Sequence, residues 1–301
     1  MSQSTLSGVA IVDKPRGVTS HTVVAQARRL FGRKDVGHAG TLDPMATGVL
    51  LLLVGQATKL SAYLTADSKR YAAEIHFGRA TDTLDADGHT IAEAELRPEQ
   101  LAFDIVEGAL ADERRRTEQT PPAVSAIKVD GVRSYALARR GDAPELAGRA
   151  VRVLELTLRE LEPPKVRCEL LVSKGYYVRS LARDLGARVG APAHLSALRR
   201  LASGPFGIEH ATPWPATQRP PLLSLTDAAT SVLPVCRIAP EAVLRARQGK
   251  LLEPRDFSEL PVVDGPGAWL SAEGELVAIG STRGELRVLR GFNSELGASA
   301  P

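Results

Sequence analysis

Cysteine is scarce in this sequence, and its scarcity argues against two classes of protein. The 301 residues include two cysteines, Cys168 and Cys236, which are far apart and form no C-x-x-C pair. We therefore expect neither a disulfide framework nor a cysteine-ligated zinc site, and a reducing cytoplasm is the expected compartment.

Long hydrophobic runs are also missing. No stretch approaches the roughly 20 apolar residues that span a bilayer. Residues 1–17 lack the basic and apolar regions of a signal peptide. With 44% hydrophobic and 24% charged residues, the composition is typical of a soluble globular protein, which we predict to be cytoplasmic. The net charge of +3 is compatible with a nucleic-acid partner but does not require one.

Motifs for metal and nucleotide chemistry fail in their spacing. Residues 81–88 look like a calcium loop, but an EF-hand aligned on Asp85 would have Thr83 and Ala94 at its first and twelfth ligand positions. The single P-loop spacing lacks its Lys-Ser/Thr pair, and the six histidines show no H-x-x-x-H pattern. We therefore expect a protein that works without metal or cofactor.

Apolar periodicity predicts a mixed α+β protein. Strands are predicted at residues 9–12, 49–54, 71–77 and 166–172. One helix is predicted after a cap at Ser20, and another from Val178 to near Gly186. These elements interleave without regular βαβ spacing, which favours a mixed sheet.

Proline content divides the chain. We predict a main domain over residues 1–210, a Pro-rich connector over 211–234, a small β-rich module over 235–293 and a tail over 294–301.

One loop combines an acid with conformationally permissive neighbours. Asp43 is flanked by Gly37, Gly40 and Gly48, and glycines permit positive φ and close approach of a ligand. Pro44 biases Asp43 away from helical conformation, so its carboxylate lies on an extended or turning segment. An Asx-type turn before a strand would use the same residues, and local physics leaves the structural and the functional interpretation level.

The segment from Gly37 to Leu50 resembles the signature of the TruB family of tRNA pseudouridine synthases. Six further blocks resemble that family in its order: residues 13–20, 69–71, 81–88, 119–128 with 135 and 138–139, 173–186 and 198–201. The resemblance implies the pseudouridine synthase fold, a mixed and largely antiparallel central sheet flanked by helices. It also implies that the C-terminal module is a PUA-like β-barrel that binds RNA.

The implied reaction is isomerisation of the T-loop uridine at tRNA position 55, with base flipping and covalent catalysis, and without metal or cofactor. The family pattern makes Asp43 the nucleophile and pairs it with Arg179. It places Tyr71 against the target base, with its hydroxyl as a candidate for removing the C5 proton. Attack at C1′, attack on the pyrimidine ring and prior removal of a ribose proton all remain open for Asp43.

The resemblance also implies a set of substrate-binding residues: His38, Tyr177, Leu198, Lys14, Gly40 and Thr41. His38 would stack on a base or fill the space that the flipped uridine leaves. Tyr177 and Leu198 would line the pocket, and Lys14 with Pro15 would brace the catalytic loop.

The expected partner is the T stem-loop of tRNA, gripped by a lobe at about residues 124–152. There, Lys128, Arg133, Arg139, Arg140, Arg149 and Arg152 outnumber three acids. The C-terminal module has eight basic and eight acidic residues, so any RNA surface there must come from segregation of charge. We expect a monomer. The lack of long terminal extensions favours a stand-alone enzyme without an obligate protein partner. Two alternatives are the catalytic subunit of a guide-RNA particle and a tRNA-binding chaperone without catalysis.

Overall fold

The central feature of the computed structural model is a mixed β-sheet. The residues described are 6–65, 68–124, 128–129, 132–133, 146–261 and 263–293. Within them, nine strands form one sheet in the order β11 (Val153–Glu162), β12 (Lys165–Ser173), β4 (Ser68–Phe77), β13 (Ala193–Ser203), β3 (Thr47–Val54), β1 (Gly8–Lys14) and β15 (Thr212–Pro213). Strand β2 (Val36–Ala39) pairs with β3, and β14 (Phe206–Gly207) pairs with β13. The pairs β13–β3 and β1–β15 are parallel and the others are antiparallel. The predicted mixed, largely antiparallel sheet is confirmed.

The strands are β1 Gly8–Lys14, β2 Val36–Ala39, β3 Thr47–Val54, β4 Ser68–Phe77, β5 Arg79–Thr81, β6 Thr90–Glu93, β7 Glu118–Gln119, β8 Lys128–Val129, β9 Val132–Arg133, β10 Arg149–Ala150, β11 Val153–Glu162, β12 Lys165–Ser173, β13 Ala193–Ser203, β14 Phe206–Gly207, β15 Thr212–Pro213, β16 Val235–Ile238, β17 Phe257–Glu259, β18 Pro266–Leu270, β19 Leu276–Ser281 and β20 Val288–Gly291. The α-helices are α1 Ser20–Phe31, α2 Ser61–Leu64, α3 Phe103–Arg114, α4 Val178–Val189, α5 Leu225–Thr230 and α6 Pro240–Arg247. Short 3-10 helices lie at Gly55–Leu60, Pro98–Leu101, Ile208–His210 and Pro254–Asp256. No helix in these described ranges is long and apolar enough to cross a membrane.

Strand β3 is apolar along its length because both of its faces are covered. Leu50, Leu52 and Val54 belong to the core that α1 and α4 share with the sheet. Val49, Leu51 and Leu53 belong to a second core, which also contains residues of α5 and the C-terminal strands. A continuous hydrophobic run rather than an alternating one follows from this double burial.

Two helix boundaries differ from the predictions. Helix α1 begins at Ser20, and Thr19 rather than Ser20 caps it, because the Thr19 hydroxyl accepts from the backbone N–H of Thr22. Helix α4 continues past Gly186 to Val189 and ends at Gly190, which adopts left-handed φ. Gly186 lies inside the helix, where a Cβ would be 2.7 Å from the Ala191 carbonyl oxygen, so this glycine serves close packing rather than helix termination.

Residues 211–234 lie along the sheet. Strand β15 pairs with β1 in parallel, and Leu223 exchanges two backbone hydrogen bonds with Val9. Helix α5 then packs against β1 and against β18.

Strands β16 to β20 form the predicted β-rich module, a five-stranded sheet in the order β17-β16-β18-β19-β20. This arrangement is compatible with the PUA-like module. Its last strand is close to the segment after β3, where Lys59 donates to the Gly291 carbonyl oxygen at 2.8 Å.

The predicted RNA-gripping lobe at residues 124–152 lies largely outside the described residues, and Arg139 and Arg140 are among those not described. At its base, β7 pairs with β10 in an antiparallel ribbon.

Candidate active site

Asp43 lies on the loop that joins the antiparallel strands β2 and β3. Buried Leu42, Met45 and Ala46 anchor this loop in the core. The Ser20 hydroxyl fixes it further, accepting from Leu42 N–H at 2.9 Å and donating to the Leu42 carbonyl oxygen at 3.1 Å. The Asp43 side chain itself remains 36% exposed. The loop is therefore held by its neighbours while the acid faces solvent.

Arg179, at the start of α4, reaches the Asp43 carboxylate from a buried position. Its Nε lies 3.0 Å from Oδ2 and its Nη2 donates to Oδ1 at 3.4 Å. The Nε–H makes no aligned hydrogen bond within the described residues, so that shorter contact is an ion pair. The Arg179 side chain is only 6% exposed. A buried guanidinium therefore orients a partly exposed carboxylate.

Arg179 has a second carboxylate neighbour, Asp85, which was not predicted as a site residue from the sequence. Its Oδ2 lies 3.6 Å from Arg179 Nη1, which donates to the Thr83 carbonyl oxygen at 3.0 Å. Burial raises the pKa of Asp85, and hydrogen bonding from Thr83 and the charge of Arg179 oppose that rise. The block that resembled a calcium loop thus supplies a buried partner for Arg179, although no local pattern separates Asp85 from Asp82 or Asp87.

Tyr71 and Leu198 lie on adjacent strands, β4 and β13, and belong to the same hydrophobic cluster. Each is 8% exposed. Burial raises the pKa of the Tyr71 phenol above its usual value, and the nearby Arg200 guanidinium opposes the shift. The Tyr71 hydroxyl therefore stays protonated at neutral pH.

Lys14, at the end of β1, is fully buried beneath the same loop. Its ammonium donates to the carbonyl oxygens of Val18 at 2.8 Å, Pro15 at 2.9 Å and Pro44 at 3.3 Å. Burial lowers the pKa of Lys14 to about 8, and the Asp43 charge opposes this effect. Because Pro44 follows Asp43, these bonds fix the loop beside the acid.

His38 is on β2, with its ring 5.3 Å from that of His21 in an edge-to-face arrangement. Burial, followed by the charges of His21 and Arg200, lowers the pKa of His38. Its Nδ1 is buried and has no hydrogen-bond partner within the described ranges.

Tyr177 occupies the N-cap position of α4, two residues before Arg179. Its backbone N–H donates to Gln119 Oε1 at 2.8 Å, and Gln119 Nε2 donates to its carbonyl oxygen at 3.2 Å. Gln119 therefore fixes the start of the helix that carries Arg179.

Gly40 and Thr41 direct their carbonyl oxygens inward to Arg200, at 2.9 and 3.3 Å. Arg200 belongs to one of the blocks that resemble the family, residues 198–201, but no role for it was predicted from the sequence. Within the described residues, no group of three or more His, Cys, Asp or Glu side chains is arranged to hold a metal ion. The geometry brings together the partly exposed Asp43, the buried Arg179 and the aromatic side chain of Tyr71. This combination suits nucleophilic attack on a flat ring or its sugar.

A family model described as "TruB family pseudouridylate synthase (N terminal domain)" matches residues 28–178. The chain is 37% identical to tRNA pseudouridine synthase B of Syntrophotalea carbinolica, over 96% of this chain and 98% of that protein. It is 41% identical to the protein of that name from Ruegeria pomeroyi, over 95% and 96% of the two chains. Identity to the Mycobacterium avium protein is 49%, over 68% of this chain and 67% of that one.

Two solved structures share the fold. A chain of a Cbf5–Nop10–Gar1 complex superimposes with a TM-score of 0.72 at 23% identity, covering 98% of this chain and 86% of that one. A chain of an archaeal box H/ACA sRNP Nop10–Cbf5 complex gives 0.70 at 22% identity, covering 97% and 88%. At these identities the comparison concerns architecture alone.

Proposed function

The chain belongs to the TruB family of pseudouridylate synthases, and on that premise we propose that it converts a T-loop uridine of tRNA to pseudouridine with Asp43 as nucleophile. The N1–C1′ bond of the uridine breaks and a C5–C1′ bond forms. C5 loses a proton and N1 gains one, so the product is an isomer of the substrate.

The geometry of Asp43 is the observation that carries this proposal. An acid intended only for a local turn would bind neighbouring backbone N–H groups. The Asp43 carboxylate instead lies 3.0 Å from the Nε of Arg179, which is distant in sequence, and stays 36% exposed. A carboxylate that is both oriented and accessible is able to attack a substrate and later leave.

The surroundings of Asp43 support binding of an extruded base. A uridine stacked inside an RNA loop is out of reach, and flipping it out costs a few kcal/mol. Tyr71, Leu198 and Tyr177 would receive the flipped base. His38, on the strand that leads into the Asp43 loop, would stack on the RNA left behind.

Tyr71 is better suited to stacking than to removing a proton. Burial raises its pKa, so the phenolate that would act as a base is rare at neutral pH. We therefore assign Tyr71 a stacking role, with its hydroxyl held next to the Arg200 guanidinium.

We propose that the enzyme acts as a cytoplasmic monomer on tRNA, without a guide RNA, metal or cofactor. The relatives that align along nearly all of this chain are named tRNA pseudouridine synthase B. The C-terminal module would provide additional RNA contacts as a PUA-like domain.

The test uses the purified full-length chain and unmodified tRNA labelled with tritium at uridine C5. We expect tritium release with EDTA present and with no other protein added, because the proposed chemistry uses only side chains. Asp43→Asn should abolish release, since an amide is not a nucleophile of comparable strength. Asp104→Asn, a change at an exposed acid on α3, is the matched control and should match the wild type.

Absence of release by the wild type under these conditions would contradict the proposed activity. Full release by Asp43→Asn would contradict the role of Asp43. An isolated T stem-loop tests whether the C-terminal module is needed for the reaction. This substrate should still react, although it leaves the module no RNA to contact.

A further inference from the structure

Arg200 is a fully buried arginine on β13, between the strand that carries Tyr71 and the strand that follows the Asp43 loop. In the register of the sheet it is opposite Tyr71 on β4 and Gly48 on β3. Arginine is rarely buried completely, because removing its charge from water is unfavourable unless every donor finds an acceptor. Its position in this core therefore calls for a specific function.

The guanidinium of Arg200 bonds to backbone on both sides of Asp43. Its Nε donates to the Val49 carbonyl oxygen at 2.7 Å, and Nη2 donates to that of Gly40 at 2.9 Å. Nη1 donates to the Thr41 carbonyl oxygen at 3.3 Å. Gly40 and Thr41 begin the loop and Val49 lies on the strand after it, so one rigid planar group joins the start of the loop to β3.

Close approach of the strands makes this arrangement possible. A Cβ on Gly48 would lie 2.2 Å from the Arg200 carbonyl oxygen and 2.7 Å from its backbone nitrogen. Gly48 also has φ of +101°, which side-chain-bearing residues rarely adopt. The glycine thus lets β13 approach β3 closely enough for the Arg200 side chain to extend beneath the loop.

Lysine could not reproduce these contacts. A guanidinium presents five donors in a fixed plane, whereas an ammonium is a single point on a flexible stem. The carbonyl oxygens of Gly40 and Thr41 on the loop and of Val49 on β3 accept from three different nitrogens of Arg200. They are therefore spaced for a planar group, whereas the carbonyl oxygens around Lys14 all accept from one nitrogen. Carbonyl oxygens at buried or partly buried positions are unfavourable without a donor. We therefore expect the loop to shift toward water if the Arg200 guanidinium is removed.

We propose that Arg200 is a positioning residue for the synthase reaction, whose guanidinium fixes the Asp43 loop by holding the carbonyl groups of Gly40, Thr41 and Val49. This inference rests on the proposed role of Asp43. Arg200 acts on the substrate only through the loop and through the adjacent Tyr71, while Arg179 aligns the carboxylate itself. Arg200 therefore fixes the position of the loop that carries Asp43, and Arg179 fixes the orientation of its carboxylate.

The test compares Arg200→Lys and Arg200→Met with the wild type in single-turnover tritium release and in equilibrium binding of the same tRNA. Misplacing a catalytic group by about 1 Å costs roughly 100-fold in rate. We expect Arg200→Lys to lower the single-turnover rate constant by about that factor and Arg200→Met by more, with the Kd for tRNA changing less than about threefold.

Two controls separate positioning from general damage. Arg33→Lys makes the same change in an arginine near Gly55, which follows the end of β3 that is farther from the Asp43 loop. Arg33 donates to the Leu6 carbonyl oxygen at 2.9 Å. Ile75→Ala truncates a fully buried side chain on β4 and provides a variant of reduced thermal stability. Both should retain the wild-type rate constant within a few-fold at a temperature where all variants are folded.

Wild-type rate constants for Arg200→Lys and Arg200→Met would overturn the proposal. So would a weaker Kd with an unchanged rate constant, which would make Arg200 an RNA contact, or an equal loss of rate in Ile75→Ala. If Arg200→Met does not fold, Arg200→Lys decides alone. An inactive wild type would instead contradict the proposed function, so the two failures are distinguishable.

Discussion

Replacement of Lys14 by methionine tests whether a buried charge supports the catalytic loop. The Lys14 ammonium is fully buried and donates to three carbonyl oxygens, one of them on Pro44 beside Asp43. Methionine keeps much of the side-chain volume but removes the charge and the donors. Its effect on stability should therefore depend on pH in a way that other core substitutions do not.

The direction in which the contribution of Lys14 to folding stability changes with pH follows from proton linkage. Burial lowers the pKa of Lys14 from 10.5 to about 8, so between these values the unfolded chain binds a proton that the folded chain has released. Folded-state stability from this group therefore increases as pH rises through that window, and burial of the charged form is most unfavourable below it. The full span of this effect is about 3 kcal/mol, of which about 2 kcal/mol falls between pH values of about 7 and 9.5.

The assay is urea unfolding of the wild type and Lys14→Met at these two pH values. Buried Cys168 and Tyr176 have raised pKa values, so they lower stability as pH rises, in both proteins alike. The wild-type free energy of unfolding minus that of Lys14→Met cancels this background and should increase by about 2 kcal/mol from the lower to the higher pH. Lys34→Met, at an exposed lysine, should show no such change. A difference that stays constant or decreases as pH rises would refute the reasoning.

Two further substitutions test the loop and its ion pair. Arg179→Lys should lower the single-turnover rate of tritium release on the order of 100-fold, because Asp43 and the Thr83 carbonyl oxygen are contacted by different nitrogens of the planar guanidinium. A rate within a few-fold of wild type would contradict the role of that planar group. Gly48→Ala should destabilise the fold by more than about 2 kcal/mol, because its Cβ would collide with the Arg200 backbone. Gly108→Ala, in helix α3 with open space around its Cβ, is the matched control and should gain roughly 0.5–1 kcal/mol. Equal unfolding midpoints for the two alanine variants would show that the close approach at Gly48 is unimportant.

The sequence predicted the parts of the fold that depend on local pattern. Strand β4 alternates between buried and partly exposed residues from Tyr71 to Phe77, and such alternation is visible without a structure. The apolar run of β3 was assigned as a strand from its length and its flanking glycines. Helix ends were less predictable, because whether Gly186 or Gly190 ends α4 depends on contacts with residues that follow the helix.

The site was less predictable because its partners come from distant segments. Arg199 and Arg200 are adjacent and chemically identical in the sequence. On β13, however, Arg199 pairs with Asp13 and is 41% exposed, while Arg200 is fully buried. Asp85 has the same ambiguity next to Asp82 and Asp87. Only the register between β3, β4 and β13, and the position of α4, decides which of these groups faces the Asp43 loop.

The cations Lys14, Arg179 and Arg200 bind different parts of this loop. Lys14 and Arg200 direct their donors to backbone carbonyls, whereas Arg179 contacts the Asp43 carboxylate. A loop built in this way has one group that aligns the acid and two that fix the backbone beneath it. Combining Arg179→Lys with Arg200→Lys should therefore give nearly multiplicative losses in rate if alignment and placement are independent. The combined loss should be smaller than the product if Arg200 acts only by keeping Asp43 within reach of Arg179.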